Sequence, residues 1–169
     1  MKQLVVVRHA KAEPSAPSDA ARALTSRGRA DARLRGEQLA VYMTGTAKAL
    51  VSPAVRTRET FDELNTTLGL EPSEVAHPAG LYAATAHGVL QEVRMVEGEP
   101  STVLVVGHNP AMGDLVWMLH DGTHNGAWKA YSDRGFPTSA AAVLTYDGDW
   151  FDIDPRAMRL EDFVAPPPR

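Results

Sequence analysis

Two histidines stand immediately after short β-branched runs. His9 follows Val5-Val6-Val7-Arg8, and His108 follows Val105-Val106-Gly107. A histidine ring nitrogen serves as nucleophile or proton carrier near neutral pH, and an arginine carries a permanent charge on a planar fork that fits phosphate or carboxylate. An Arg-His pair such as Arg8-His9 is common by chance and fits a surface strand end equally well, so other residues must decide its meaning.

Three stretches supply them. In Ser52-Pro53-Ala54-Val55-Arg56, Ser52 suits a helix cap with Pro53 at the first helical position, which places Arg56 in the first turn. The N–H groups of that turn favour an anion. Arg58, two residues on, points elsewhere and reads as a solvated side chain. In Gly107-His108-Asn109-Pro110, the glycine permits close backbone approach, Pro110 suits the start of a helix, and the Asn109 N–H can face a bound phosphate. A buried core histidine is the competing account of His108. In Asp19-Ala20-Ala21-Arg22-Ala23-Leu24-Thr25-Ser26, Thr25 or Ser26 caps the next helix, and Arg22 belongs to a loop able to fold over a site. A plain solvated arginine fits Arg22 as well.

The elements that must position these residues alternate. Leu4–Val7 and Thr102–Val106 are continuous apolar runs that suit strands covered on both faces, and 49–51 is a weaker third. Residues 141–146 read as another strand, and Asp147-Gly148-Asp149 as a hairpin-like turn into a strand at 150–153. Helices are expected at 26–42, with Ala30, Leu34 and Leu39 inward, and at 54–68, 87–96 and 111–119. This order predicts a three-layer α/β/α sandwich around a mostly parallel sheet. In such sheets ligands bind at the carboxyl ends of the strands, which is where His9 and His108 fall.

Composition narrows the class of protein. The chain has 169 residues, 44% hydrophobic and 22% charged, with a net charge of −4 and no cysteine. One domain is expected at 1–164, followed by a flexible Pro-rich tail at 165–169. Disulfide, thiolate and zinc–thiolate chemistry is excluded, and the charge gives no reason to expect nucleic acid or membrane as a partner. No signal segment and no apolar run near the ~20 residues of a membrane span is evident, so a cytoplasmic protein is expected. Oligomeric state is not readable from the sequence, and a monomer is compatible with it.

Together these residues resemble the histidine phosphatase superfamily, with its phosphoglycerate-mutase-like fold. Its pattern is an Arg-His pair after the first strand, a distal arginine after Ser-Pro, and a second histidine after a later strand. Here these are Arg8-His9, Arg56 and His108, and the similarity extends to Arg22–Gly28 and Phe136–Ser139. Within it, the chain is most similar to the small SixA-type phosphohistidine phosphatases, where alanine follows the histidine as Ala10 does here. The resemblance implies catalytic roles for His9, Arg8, Arg56 and His108, with Arg8, Arg56, His108, Asn109 and Arg22 binding phosphate.

That chemistry needs neither metal nor cofactor, because arginines neutralise charge on the equatorial oxygens of a loose phosphoryl-transfer transition state. His120-Asp121-Gly122-Thr123-His124 superficially suggests a cation site, but Gly122 breaks a helix face and an exposed turn is expected. Relatives that cleave alkyl esters carry an acid between the distal arginine and the second histidine. The matching stretch, His77–Thr85, holds no carboxylate. Asp19 is the remaining candidate acid. A missing acid suits an activated phosphate such as phosphohistidine, on a protein or a small molecule. A phosphatase of small esters and a non-catalytic phospho-ligand module are the alternatives.

Overall fold

The computed structural model describes residues 1–168. Its six strands are β1 (Lys2–Arg8), β2 (Ala47–Val51), β3 (Val75–Ala76), β4 (Thr102–Gly107), β5 (Ala141–Tyr146) and β6 (Arg159–Val164). They form one sheet in the order β3-β2-β4-β1-β5-β6. The first four run parallel, while β5 and β6 are antiparallel additions at one edge. The helices are α1 (Ser26–Leu39), α2 (Val55–Leu68), α3 (Ala86–Arg94), α4 (Ala111–Leu119) and α5 (Gly126–Arg134).

Strand β1 shows how the layers arise. Its side chains alternate between faces. Leu4 and Val6 join Leu90, Val93, Leu115 and Leu119 on one side, whereas Val5 and Val7 join Leu39, Phe61 and Leu64 on the other. Helices α3, α4 and α5 therefore cover one face and α1 and α2 the other, which is the expected three-layer sandwich. Each of these buried apolar side chains contributes roughly 1.5–3 kcal/mol relative to exposure.

Three local expectations are corrected, and two elements are added. The inner face of α1 is Gly28, Ala32, Arg35, Gly36 and Leu39, while Ala30 and Leu34 face outward. Small residues win there because α1 and α2 approach closely: a Cβ on Gly36 would lie 2.7 Å from the Leu64 carbonyl oxygen. The helix also gives way to a 3₁₀ turn at Ala40–Tyr42. Trp150–Asp152 is a 3₁₀ turn rather than a strand, because fully buried Trp150 sends its indole N–H to the Pro100 carbonyl at 2.7 Å. The strand that returns beside β5 is β6, which burial marks only at Leu160 and Phe163. Helix α5 escaped the sequence reading because Tyr131 is its only buried side chain.

Residues 165–168 lack regular structure. Ala165 packs on the core, and Arg134 donates to the Pro166 carbonyl. Arg169, the last residue of the expected tail, lies outside the described residues. No helix among the described residues is long and apolar enough to cross a membrane.

Candidate active site

Three adjacent strands deliver the site. Arg8 of β1 is in register with Gly107 of β4, and the His9 N–H donates to the Gly107 carbonyl at 3.0 Å. His9 and His108 therefore leave neighbouring strands side by side, with ring centroids 5.4 Å apart. On the other side of β4, the Ser52 N–H donates to the Val106 carbonyl at 3.0 Å, which aligns the end of β2 with them.

Ser52 does not cap α2. The helix begins at Val55 after Ala54, with no side-chain cap. The fully buried Ser52 hydroxyl lies 2.7 Å from His108 Nε2 instead. Arg56 sits in the first turn of α2, as expected, and is only 7% exposed, whereas Arg58 is exposed. Thr60, one turn further, accepts from the Ala10 N–H at 2.9 Å and donates to the Arg56 carbonyl at 2.6 Å. This hydroxyl ties the segment after His9 to the helix carrying Arg56.

The geometry at His9 defines its tautomer. His9 Nδ1 lies 2.8 Å from the Ala10 carbonyl, which can only accept, so Nδ1 carries the proton and Nε2 keeps a free lone pair. Burial pushes the His9 pKa down to about 4, with the Arg56, His108 and Arg8 charges lowering it further and the Ala10 carbonyl opposing. His108 is also held down, to about 4, by burial first and then by Arg56, against a raising influence from Asp19. Both rings are thus held toward the neutral form, which disfavours His108 as a third cation.

Three buried donors in this cluster have no protein partner: Arg8 Nε, Arg56 Nε and His108 Nδ1. Buried polar groups are nearly always paired, so three orphan donors around one nucleophile fit an anion with several acceptor oxygens. Each arginine is also anchored. Arg8 Nη1 donates to the Phe136 carbonyl at 3.0 Å. Arg56 donates through Nη1 to the Asp19 carbonyl at 2.9 Å and through Nη2 to Asp19 Oδ2 at 3.1 Å.

Asp19 and Arg22 stand at the rim. Arg22 joins the loop to itself, from Nε to the Glu13 carbonyl at 2.7 Å and from Nη1 to Asp19 Oδ1 at 3.1 Å. Its link to the floor runs through Asp19. The Asp19 carboxyl is held far below the usual carboxylate range, chiefly by the Tyr82 hydroxyl at 2.5 Å and by Arg22, with Arg56 adding to both. These contacts favour its ionised form, which disfavours it as a proton source. The Tyr82 ring meets His108 edge-on at 5.7 Å. The Asn109 side chain is committed to structure, donating to the Phe136 carbonyl at 2.7 Å and accepting from the Gly113 N–H at 3.2 Å.

Sequence reading missed Ser52 as a histidine anchor, Thr60 and Tyr82. Ser52 was visible only as a cap, and Tyr82 lay in a stretch searched for carboxylates alone. His120 is structural, stacked on Trp128 with centroids 3.8 Å apart and its Nε2 donating to the Thr123 carbonyl at 2.9 Å.

A mostly parallel sheet that gathers two histidines and two arginines at its carboxyl edge defines a histidine phosphatase. No protein-family model matches the chain. Phosphohistidine phosphatase SixA of Escherichia coli is 30% identical, over 86% of this chain and 86% of that protein. The structure of the SixA protein of Nakamurella multipartitia superposes with a TM-score of 0.85 at 31% identity, covering 98% of this chain and 96% of that one. A structure of the protein histidine phosphatase SixA complexed with tungstate gives a TM-score of 0.77 at 27% identity, covering 96% of each chain. The chain belongs to the SixA family of histidine phosphatases. It is a phosphate-releasing hydrolase of the kind that uses a histidine nucleophile.

Proposed function

We propose that the protein hydrolyses phosphohistidine, on a protein or a small phosphorylated molecule, in the cytoplasm, and that residues 1–164 form the domain responsible. The observation that carries this reading is the three orphan donors around His9 in a site whose nearest carboxyl, Asp19, is locked as a carboxylate. Such a site suits phosphates whose leaving group needs no acid from the enzyme.

In the proposed cycle, His9 Nε2 attacks phosphorus while its Nδ1–H remains on the Ala10 carbonyl. Arg8 and Arg56 donate to the equatorial oxygens, and both stay charged through the step. His108 Nδ1–H adds a neutral donor, with its other nitrogen held by Ser52. The Asn109 N–H, at the entrance to α4, contacts the phosphoryl oxygens. Arg22 holds Asp19 in place and screens the mouth. The P–N bond to the leaving imidazole breaks, and its electron pair returns to that ring. Water then attacks the phosphorylated His9, releasing phosphate and restoring the Nε2 lone pair.

The test is to incubate the protein with a ³²P-labelled phosphohistidine peptide and follow both turnover and acid-labile label on His9. Wild type is expected to turn over and trap label; His9→Ala is expected to do neither. Turnover that survives His9→Ala overturns the assignment of the nucleophile. Equal rates on phosphohistidine and on an alkyl phosphate overturn the preference for activated phosphates.

A further inference from the structure

Asp19 is an odd neighbour for a phosphate site. Its carboxylate sits 3.1 Å from Arg56 Nη2, on one of the groups that should receive a phosphoryl oxygen. Against a dianionic phosphate ester this charge is repulsive, and it competes for the arginine. Yet the carboxylate is held deliberately, by donors from three parts of the fold: Arg22 on its own loop, Arg56 at the start of α2, and Tyr82 after β3.

Position suggests what this charge is for. His9 and Arg56 lie at the floor, 8% and 7% exposed, whereas the Asp19 side chain is 55% exposed and Tyr82 is exposed beside it. Displacement at phosphorus runs in line. A nucleophile on the floor therefore expels its leaving group toward the mouth, where Asp19 stands. An ionised carboxylate accepts about four hydrogen bonds, and three side-chain donors occupy it here. One acceptor position is left.

We propose that Asp19 is a specificity-determining residue whose free acceptor position takes the distal ring N–H of a phosphoimidazolium leaving group. This rests on the reading that His9 attacks phosphohistidine. The leaving ring carries phosphorus on one nitrogen and, when protonated, a hydrogen and a positive charge on the other. Asp19 pairs with that cation and so favours the form from which the P–N bond breaks. As His9 Nε2 bonds to phosphorus, the P–N electron pair returns to the ring, which departs as neutral imidazole with its distal hydrogen still in place. No proton crosses to or from Asp19 in this step. The charge that penalises a phosphate ester thus assists a phosphoimidazolium, and no acid is needed.

Asp19→Asn keeps the size of the side chain and removes the charge. The measurement is kcat/KM on a phosphohistidine peptide and on p-nitrophenyl phosphate, for wild type, Asp19→Asn and Asp19→Glu. The ratio of the two constants is expected to fall about tenfold or more in Asp19→Asn, the scale of one charge-assisted hydrogen bond. The phosphohistidine rate falls and the aryl phosphate rate rises; Asp19→Glu recovers part of the ratio. A carboxylate that merely pins the loop lowers both rates together, so a ratio within about threefold of wild type overturns the proposal. A wild-type protein inert toward phosphohistidine but active on p-nitrophenyl phosphate sinks the functional reading itself, which separates the two failures.

Discussion

The Ser52 hydroxyl lies 2.7 Å from His108 Nε2, which leaves Nδ1 as the ring nitrogen without a protein partner. A serine hydroxyl can donate or accept there; in the proposed cycle it donates to Nε2 and the proton resides on Nδ1, the buried atom that has no protein partner. A neutral histidine then serves as a directed donor, in a place where burial and two arginines make an imidazolium unfavourable.

Ser52→Ala is therefore expected to lower kcat/KM by about tenfold, because His108 loses the bond that fixes its tautomer. The fold should persist, since no core volume changes. Ring ¹⁵N shifts of His108 provide the independent check: the Nδ1–H tautomer dominates in wild type and becomes mixed in the variant. An unchanged rate with an unchanged tautomer rules out this role for Ser52.

Thr60→Val tests the tie between the two halves of the site. The change is nearly isosteric but leaves the fully buried Ala10 N–H without its acceptor. An unsatisfied buried donor costs about 1–3 kcal/mol, measurable as a lower urea midpoint. Activity should fall as well, because the carbonyl of Ala10 holds the His9 ring. Loss of stability with full activity would show that Thr60 supports the fold and not the nucleophile.

Much of this site was legible because its residues abut the most strongly patterned strands. Arg8, His9 and His108 stand at the ends of β1 and β4, whose unbroken apolar runs signal burial on both faces. Arg56 follows from the helix start after Pro53. Ser52 was not legible as a histidine anchor, since its meeting with His108 depends on the β2–β4 register, and locally a serine before proline is a good cap. Tyr82 sits on a short turn with no periodicity, and its partner Asp19 is distant in sequence. The inner face of α1 misled for a physical reason. Pattern reading looks for large apolar residues, whereas a close helix pair buries glycine and alanine and lets Leu34 face solvent.

That close packing predicts a sharp sensitivity at Gly28. A Cβ there would lie 2.1 Å from the Lys11 carbonyl oxygen, a backbone atom that cannot swing aside. Gly28→Ala must push α1 away from the segment following His9. A loss of at least about 2 kcal/mol is expected, seen as a drop in Tm of several degrees. Gly69 offers the contrast, since its φ of +69° ends α2 in the left-handed region with nothing within 4 Å. Gly69→Ala should cost only about 1 kcal/mol, from backbone strain alone. Equal effects at the two positions would contradict the close approach at Gly28.

Acid stability offers a test of the electrostatics. His9 and His108 are both depressed to about 4 in the folded protein, against about 6.5 for an unfolded histidine. Above pH ~6.5 the rings are neutral in both states and contribute no pH dependence. As pH falls from ~6.5 toward ~4, the unfolded chain takes up protons that the folded chain refuses, and stability drops by roughly 2–3 kcal/mol per histidine. Below ~4 the folded rings protonate as well and the loss levels off. A His9→Asn/His108→Asn variant lacks this term, while every other titrating group stays the same. Urea unfolding at pH 7.5 and pH 4.5 should therefore show a smaller acid penalty in the double variant than in wild type. An equal penalty would mean that the two rings titrate normally, and that His108 is available as a cation after all.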